Sequence, residues 1–183
     1  VRRESVIKEV NIKQGRSGEM VFVTVKTDIA SPRGLAITEE QDIVYRAEPD
    51  RNDANAAPPP PQKAPGQPVW IRTVTPDPVL LFRYSALTFN GHRIHYDYPY
   101  VTQTEGYPDL VMNGGLTTLL VFELARTHAS TPIAYLSSRN VRPLFVNRPF
   151  TLCGEPSPDN KTAKLWVVDQ DGALALNAEA EFR

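Results

Sequence analysis

The chain has 183 residues, 41% apolar and 22% charged, the balance of a folded globular protein rather than a disordered one. A net charge of −1 leaves no electrostatic footprint for nucleic acid or an anionic membrane surface. The single cysteine, Cys153, excludes an internal disulfide framework; it is expected as a buried small hydrophobe in a reducing, cytoplasmic setting.

No segment offers the ~20 apolar residues of a membrane span, and no signal-peptide pattern opens the chain, so no membrane partner is expected. The sequence starts at Val1-Arg2-Arg3 without Met and runs directly into strand-like residues, so the protein is expected to continue before Val1. Residues 5–13 alternate, with Val6, Val10 and Ile12 predicted on one face of a strand that also carries Lys8. Gln14-Gly15-Arg16-Ser17-Gly18 signals a turn into a second strand at Met20–Val25. Ser31-Pro32-Arg33-Gly34 then turns the chain into a third at Leu35–Tyr45. From Ala47 to Val69 the composition shifts to Asp, Asn, Ala and Pro, with Pro58-Pro59-Pro60-Pro61 at its centre. This predicts an extended, polyproline-like linker, either a passive connector or a ligand for a proline-binding domain.

A second unit begins near Trp70. Asp77–Tyr84 reads as a strand and residues 85–100 as irregular. Gly115 to about His128 predicts a helix, apolar around most of its circumference and therefore buried, with Asn113 at its N-cap and Gly114-Gly115 allowing close approach to its first turn. Four strands are predicted after it, at Ile133–Val141, Phe150–Gly154, Thr162–Val168 and Leu174–Phe182. Asp169-Gln170-Asp171-Gly172 marks a hairpin between the last two. In the last strand Leu174, Leu176, Ala178, Ala180 and Phe182 are expected to face one way and Ala175, Asn177, Glu179 and Glu181 the other.

The chemistry concentrates in one short stretch. Two of the three histidines, His92 and His95, fall in Asn90-Gly91-His92-Arg93-Ile94-His95, beside Tyr96, Asp97, Tyr98 and Tyr100. Imidazole titrates near neutral pH, so it can take a proton from water and return one. A metal site built on these histidines and Asp97 matches no common zinc spacing, and none is expected. The competing reading is that both histidines only hold a loop through hydrogen bonds.

The run Arg83–Asp97 resembles the active-site segment of MaoC-like hydratases. It is most similar to the branch of 3-hydroxyacyl-thioester dehydratases and itaconyl-CoA and mesaconyl-C4-CoA hydratases. Asn113-Gly114-Gly115-Leu116 resembles the start of that family's central helix, and Val141-Arg142-Pro143-Leu144-Phe145 the strand after it. The resemblance covers residues 78–183, and 1–46 more loosely. It implies an α+β hot-dog fold, an antiparallel sheet wrapped round a long helix. It also implies a double hot-dog arrangement: residues 1–46 as strands of an incomplete N-terminal half, 47–69 as linker, 70–183 as the catalytic domain.

The family pairs an Asp with a His five residues on; here His95 takes the histidine position and Asn90 the acid position. An amide is no base, so the expectation is a single-base mechanism in which His95 activates water and Asn90 holds it. Gly114 and Gly115 would offer backbone N–H groups to the enolate oxygen that develops on a thioester carbonyl. Asp97 is the nearest carboxylate, either a second acid or a cap for Tyr98-Pro99-Tyr100. His92, Arg93, Tyr96, Asn113 and Arg142 are expected around the substrate. Arg93, Arg139 and Arg142 are candidate cations for CoA phosphates or a second substrate carboxylate; Tyr84, Tyr96 and Tyr107 are candidates for the acyl pocket.

The resemblance therefore implies a hydro-lyase that interconverts a trans-2-enoyl-CoA and a 3-hydroxyacyl-CoA, R-specific, with itaconyl-CoA or mesaconyl-C4-CoA among its candidate substrates. CoA enters as substrate, and no cofactor is expected. The rival readings are a hot-dog thioesterase, for which Glu123 is the helix carboxylate on offer, and a non-catalytic acyl-thioester binding module. Sheet edges of this fold pair between units, so a homodimer or higher oligomer is expected.

Overall fold

In a computed structural model describing residues 1–15, 18–46 and 60–183, the chain forms two compact units, Val1–Pro59 and Pro60–Arg183. The first is an antiparallel meander, β1 (Arg2–Gly15), β2 (Gly18–Ser31) and β3 (Gly34–Arg46), with β2 in the middle. These strands are longer than the apolar runs within them, because charged residues pair across the ladder; Lys8 reaches Glu40 at 2.7 Å.

Strict alternation fails at Lys8. The register shifts between Ile7 and Glu9, so Ile7 pairs with Val25 while Val10 and Ile12 pair with Val23 and Val21. Ile7, not Val6, therefore shares a face with Val10 and Ile12; one bulged residue inverts the strand before it. Residues 16–17 of the predicted first turn, and residues 47–59 of the predicted linker with most of its proline run, lie outside the described residues.

The second unit is a five-stranded antiparallel sheet in the order β4-β6-β7-β8-β5, with β4 at Trp70–Val74, β5 at Ile133–Asn140, β6 at Phe150–Pro156, β7 at Thr162–Val168 and β8 at Leu174–Phe182. Across one face lies α3 (Gly114–His128). Its Leu116, Val121, Leu124 and Ala125 bury against Phe150 and Leu152 of β6, Leu165 and Val167 of β7, and Leu176, Ala178 and Ala180 of β8. The small alanines let helix and sheet approach, and each fully buried Leu or Val contributes roughly 1.5–3 kcal/mol. This is the hot-dog arrangement. The helix is not buried all round, since Leu119 remains 52% exposed.

Alternation in β8 is also broken once. Val167 pairs with Leu176 but Val168 with Leu174, so Ala175 joins the helix-side core and Leu174 turns outward to Cys153 and Trp166. Cys153 is buried there, and burial pushes its thiol pKa up.

Three further expectations are corrected. Residues 77–84 are not a strand: α1 spans Pro78–Leu87, capped by Asp77, whose side chain accepts the Leu80 N–H at 2.7 Å, with a proline in the first turn. The stretch after it is less irregular than expected, holding a 3₁₀ turn at Arg93–His95 and a short helix, α2 (Tyr98–Gln103). Nor is Pro60–Val69 free linker. Lys63 bridges Ala173, Leu174 donates to the Gln62 carbonyl at 2.9 Å, and Val69 donates to Gly154 at 2.8 Å. The second unit therefore starts ten residues before Trp70, at Pro60.

Candidate active site

α1, the 3₁₀ turn and the extended segment Leu110–Asn113 meet at the N-terminal end of α3. Val111 is stitched in from both sides: its N–H donates to Ile94 at 3.0 Å, and it bridges Phe145. Its neighbour Met112 donates to Leu144 at 2.8 Å. The Val111 carbonyl is thereby aimed at His95, whose Nδ1 lies 2.7 Å away. A carbonyl only accepts, so Nδ1 carries the proton in the neutral ring and Nε2 keeps its lone pair. His95 is 7% exposed. Burial holds its pKa below the ordinary 6.5, outweighing the hydrogen bond to Val111, which raises it; the charge of His92 adds to the lowering. The imidazole is thus neutral, and a base, at neutral pH.

His95 lines a cleft of about 410 Å³ together with His92, Thr117, Asn140, Arg142 and the opening residue of α3, Gly114. The His92 ring stands edge-on to His95 with centroids 5.5 Å apart. The first helical hydrogen bond of α3 runs from Thr117 to the Asn113 carbonyl, which leaves the N–H groups of Gly114, Gly115 and Leu116 without an intrahelical acceptor. A depression of about 440 Å³ on the outer face of the sheet is slightly larger, but Pro65, Arg139, Lys164 and Glu179 line it and no histidine does. We assign the site to the cleft that holds the base.

The glycines at the helix start leave room for two neighbouring side chains. A Cβ on Gly115 would come within 2.7 Å of the Tyr84 hydroxyl, and one on Gly114 within 2.8 Å of the Asn140 amide nitrogen. Both distances are shorter than real side-chain contacts allow. Tyr84 is therefore spent on helix packing, and Tyr107 packs against Phe145.

Other expected site residues lie elsewhere. Asn113 occupies the N-cap position without capping: its Nδ2 donates to Ser85 Oγ at 3.3 Å, and its Oδ1 is buried with no partner. Asn90 uses its Oδ1 to accept the His92 N–H at 3.0 Å, and it lines a neighbouring depression with Phe82, Phe89 and Tyr96 rather than the His95 cleft. Tyr96 donates its hydroxyl to the Gly91 carbonyl at 2.8 Å.

Asp97 is committed twice. One oxygen caps α2 through the Tyr100 N–H at 3.1 Å and the other takes Arg93 at 2.8 and 3.0 Å, which holds its carboxyl below the usual range. Arg93 also lies over the Tyr100 ring at 4.0 Å. Neither faces the cleft. Glu123 gives both oxygens to Arg126. Among the described residues, no three His, Cys, Asp or Glu side chains are grouped to share a metal ion.

Sequence reasoning missed the Val111 carbonyl, Thr117 and Asn140. Backbone acceptors carry no residue signal, and Asn140 becomes visible only once β5 is known to end beside the helix start.

Residues 1–146 match the family model described as hydroxyacyl-thioester dehydratase type 2. The chain belongs to that family. It is 50% identical to mesaconyl-C(4)-CoA hydratase of Chloroflexus aurantiacus over 99% of its own length and 63% of that protein's, so it spans less than two thirds of this relative. Among solved structures, HtdX of Mycobacterium tuberculosis matches with a TM-score of 0.68 at 20% identity, over all of this chain and 68% of that one. A MaoC-like dehydratase from Phytophthora capsici also matches at 0.68, with 13% identity over 99% of this chain and 61% of that one. At such identities the two structures speak for the fold alone, and they agree with the hot-dog assignment.

Proposed function

We propose that this chain holds the catalytic cleft of a hydro-lyase that adds water to a trans-2-enoyl-CoA thioester, or removes it from the 3-hydroxyacyl-CoA, with R specificity. The observation that carries the reading is the pairing, in one cleft, of a buried neutral histidine with a glycine-opened helix start. His95 Nε2 takes a proton from water as the oxygen attacks the β-carbon. The electrons move to the thioester oxygen, where the free N–H groups at the start of α3 stabilise the enolate. The enolate then collapses and the α-carbon takes the proton back from His95. One base on one face makes the addition syn.

The likeness to mesaconyl-C(4)-CoA hydratase supports a short branched dicarboxylic acyl group. The thioesterase reading loses its support, because Glu123 is bound to Arg126 and does not line the cleft. The absence of a carboxylate among the cleft's lining residues favours one alternative, an acyl-thioester binding module without turnover.

The meander at residues 1–46 reads as the closing strands of a second hot-dog unit; its face of Ile7, Val10, Ile12 and Ile43 is apolar yet exposed. A homodimer or higher assembly accords with the open edges of β4 and β5. Hydration of crotonyl-CoA and mesaconyl-C4-CoA, followed by loss of enoyl absorbance, tests the activity. Binding without absorbance loss would favour the binding module, and release of free CoA the thioesterase.

A further inference from the structure

Among the described residues, Arg142 is the only lysine or arginine lining the His95 cleft. It also differs from the other guanidinium groups near the site in how little it is committed. Arg93 is spent on Asp97 and Tyr100, and Arg126 donates twice to Glu123. Among the described residues, Arg142 has one carboxylate in range, Asp169, 4.0 Å from its Nε and beyond hydrogen-bond distance.

Asp169 is itself fixed. Its Oδ1 accepts the N–H groups of Asp171 and Ala173, both at 2.9 Å, in the turn between β7 and β8. Its Oδ2 therefore attracts Arg142 into position without using up the donors. The Arg142 backbone is anchored as well, since its N–H and that of Val141 both reach the Ala175 carbonyl, at 3.2 and 2.8 Å.

We propose that Arg142 reads a free carboxylate on the acyl group, so that the cleft selects dicarboxylic over monocarboxylic thioesters. The inference rests on the thioester reading of the site and names the acyl class that the site takes. A planar guanidinium with unspent donors matches a carboxylate with two parallel hydrogen bonds. In a dicarboxylic enoyl thioester whose carboxylate sits on the β-carbon, that group is one bond from the carbon that receives water. Its reader must then line the same cleft as the base. Arg142 does; Arg139 and Lys164 line the outer face of the sheet. The phosphates of CoA offer a guanidinium similar chemistry, but every CoA thioester carries them, whereas only a dicarboxylic acyl group carries the extra anion.

Calorimetric titration of the whole chain with two saturated thioesters that have no double bond to hydrate, freshly prepared succinyl-CoA and butyryl-CoA, separates the sources. Wild type, Arg142→Gln and Arg142→Lys are compared, with circular dichroism confirming that each is folded. Wild type is expected to prefer succinyl-CoA. Arg142→Gln should shrink that preference roughly ten- to a hundred-fold without a matching loss of butyryl-CoA affinity, and Arg142→Lys should keep part of it. Equal losses for both ligands would assign Arg142 to the phosphates and overturn the inference, as would no loss for either. Failure of wild type to bind either thioester would contradict the hydratase reading itself, and the inference with it.

Discussion

His95 and Val111 hold each other in place: His95 Nδ1 meets the Val111 carbonyl at 2.7 Å, and the Val111 N–H donates to Ile94, the residue before His95, at 3.0 Å. The two contacts fix the ring's tautomer and its direction together. They also tie the loop that carries His95 to the segment that leads into α3.

The pH dependence follows from the burial of His95. Its folded pKa lies below 6.5, so between that value and 6.5 the unfolded chain binds more protons than the folded one. The stability this group contributes is fully present above pH 6.5 and is lost as the pH falls through the folded pKa. Activity should follow the same ionisation, with the acid limb of kcat/KM falling below pH 6.5. A limb centred above 6.5 would contradict the assignment of a desolvated base.

A Cβ on Gly115 would meet the Tyr84 hydroxyl at 2.7 Å, so a side chain there has to displace Tyr84. Gly115→Ala should destabilise the protein by about 1–3 kcal/mol, the ordinary cost of overpacking, and lower kcat by shifting the helix start. Tyr84→Phe removes the hydroxyl in the way, so the double variant should recover part of the loss. Denaturant unfolding of the two single variants and the double one checks this as a cycle; strict additivity would mean that the two residues do not meet.

Asp97 is committed as a cap and an ion-pair partner, so no proton-donor role is expected of it. Asp97→Asn keeps an acceptor for the Tyr100 N–H and should leave kcat within a few-fold of wild type, while lowering the melting temperature slightly. A loss of turnover as deep as that of a His95 variant would make Asp97 the second acid and end the single-base scheme.

Leu124 is 2% exposed at the contact between helix and sheet, and truncation leaves a cavity that the closely packed alanines of β8 cannot fill. Leu124→Ala should cost about 2–5 kcal/mol, read as a shift in the urea midpoint at constant slope.

Most of the second unit was legible because its signals are periodic. The apolar helix at 114–128, four strand runs and the Asp-Gly turn each state their element locally. Where reading failed, a single residue outweighed a pattern. Asp77-Pro78 starts a helix on an apolar run that looks like a strand, and the bulges at Lys8 and Ala175 each invert a face. The site was half legible. His92, His95, Gly114 and Arg142 line one cleft, while Asn90 and Asp97 make local hydrogen bonds that residue spacing cannot distinguish from catalysis. Asn140 reaches the helix start only through the long-range pairing of β5 with β8.

The most direct test is the hydration rate of mesaconyl-C4-CoA and crotonyl-CoA by wild type and by His95→Ala, with circular dichroism showing that both are folded. A general-base role for His95 predicts turnover by wild type and a fall of at least ~10²-fold in the variant. Near wild-type rates in His95→Ala, or no turnover by wild type despite thioester binding, would contradict it.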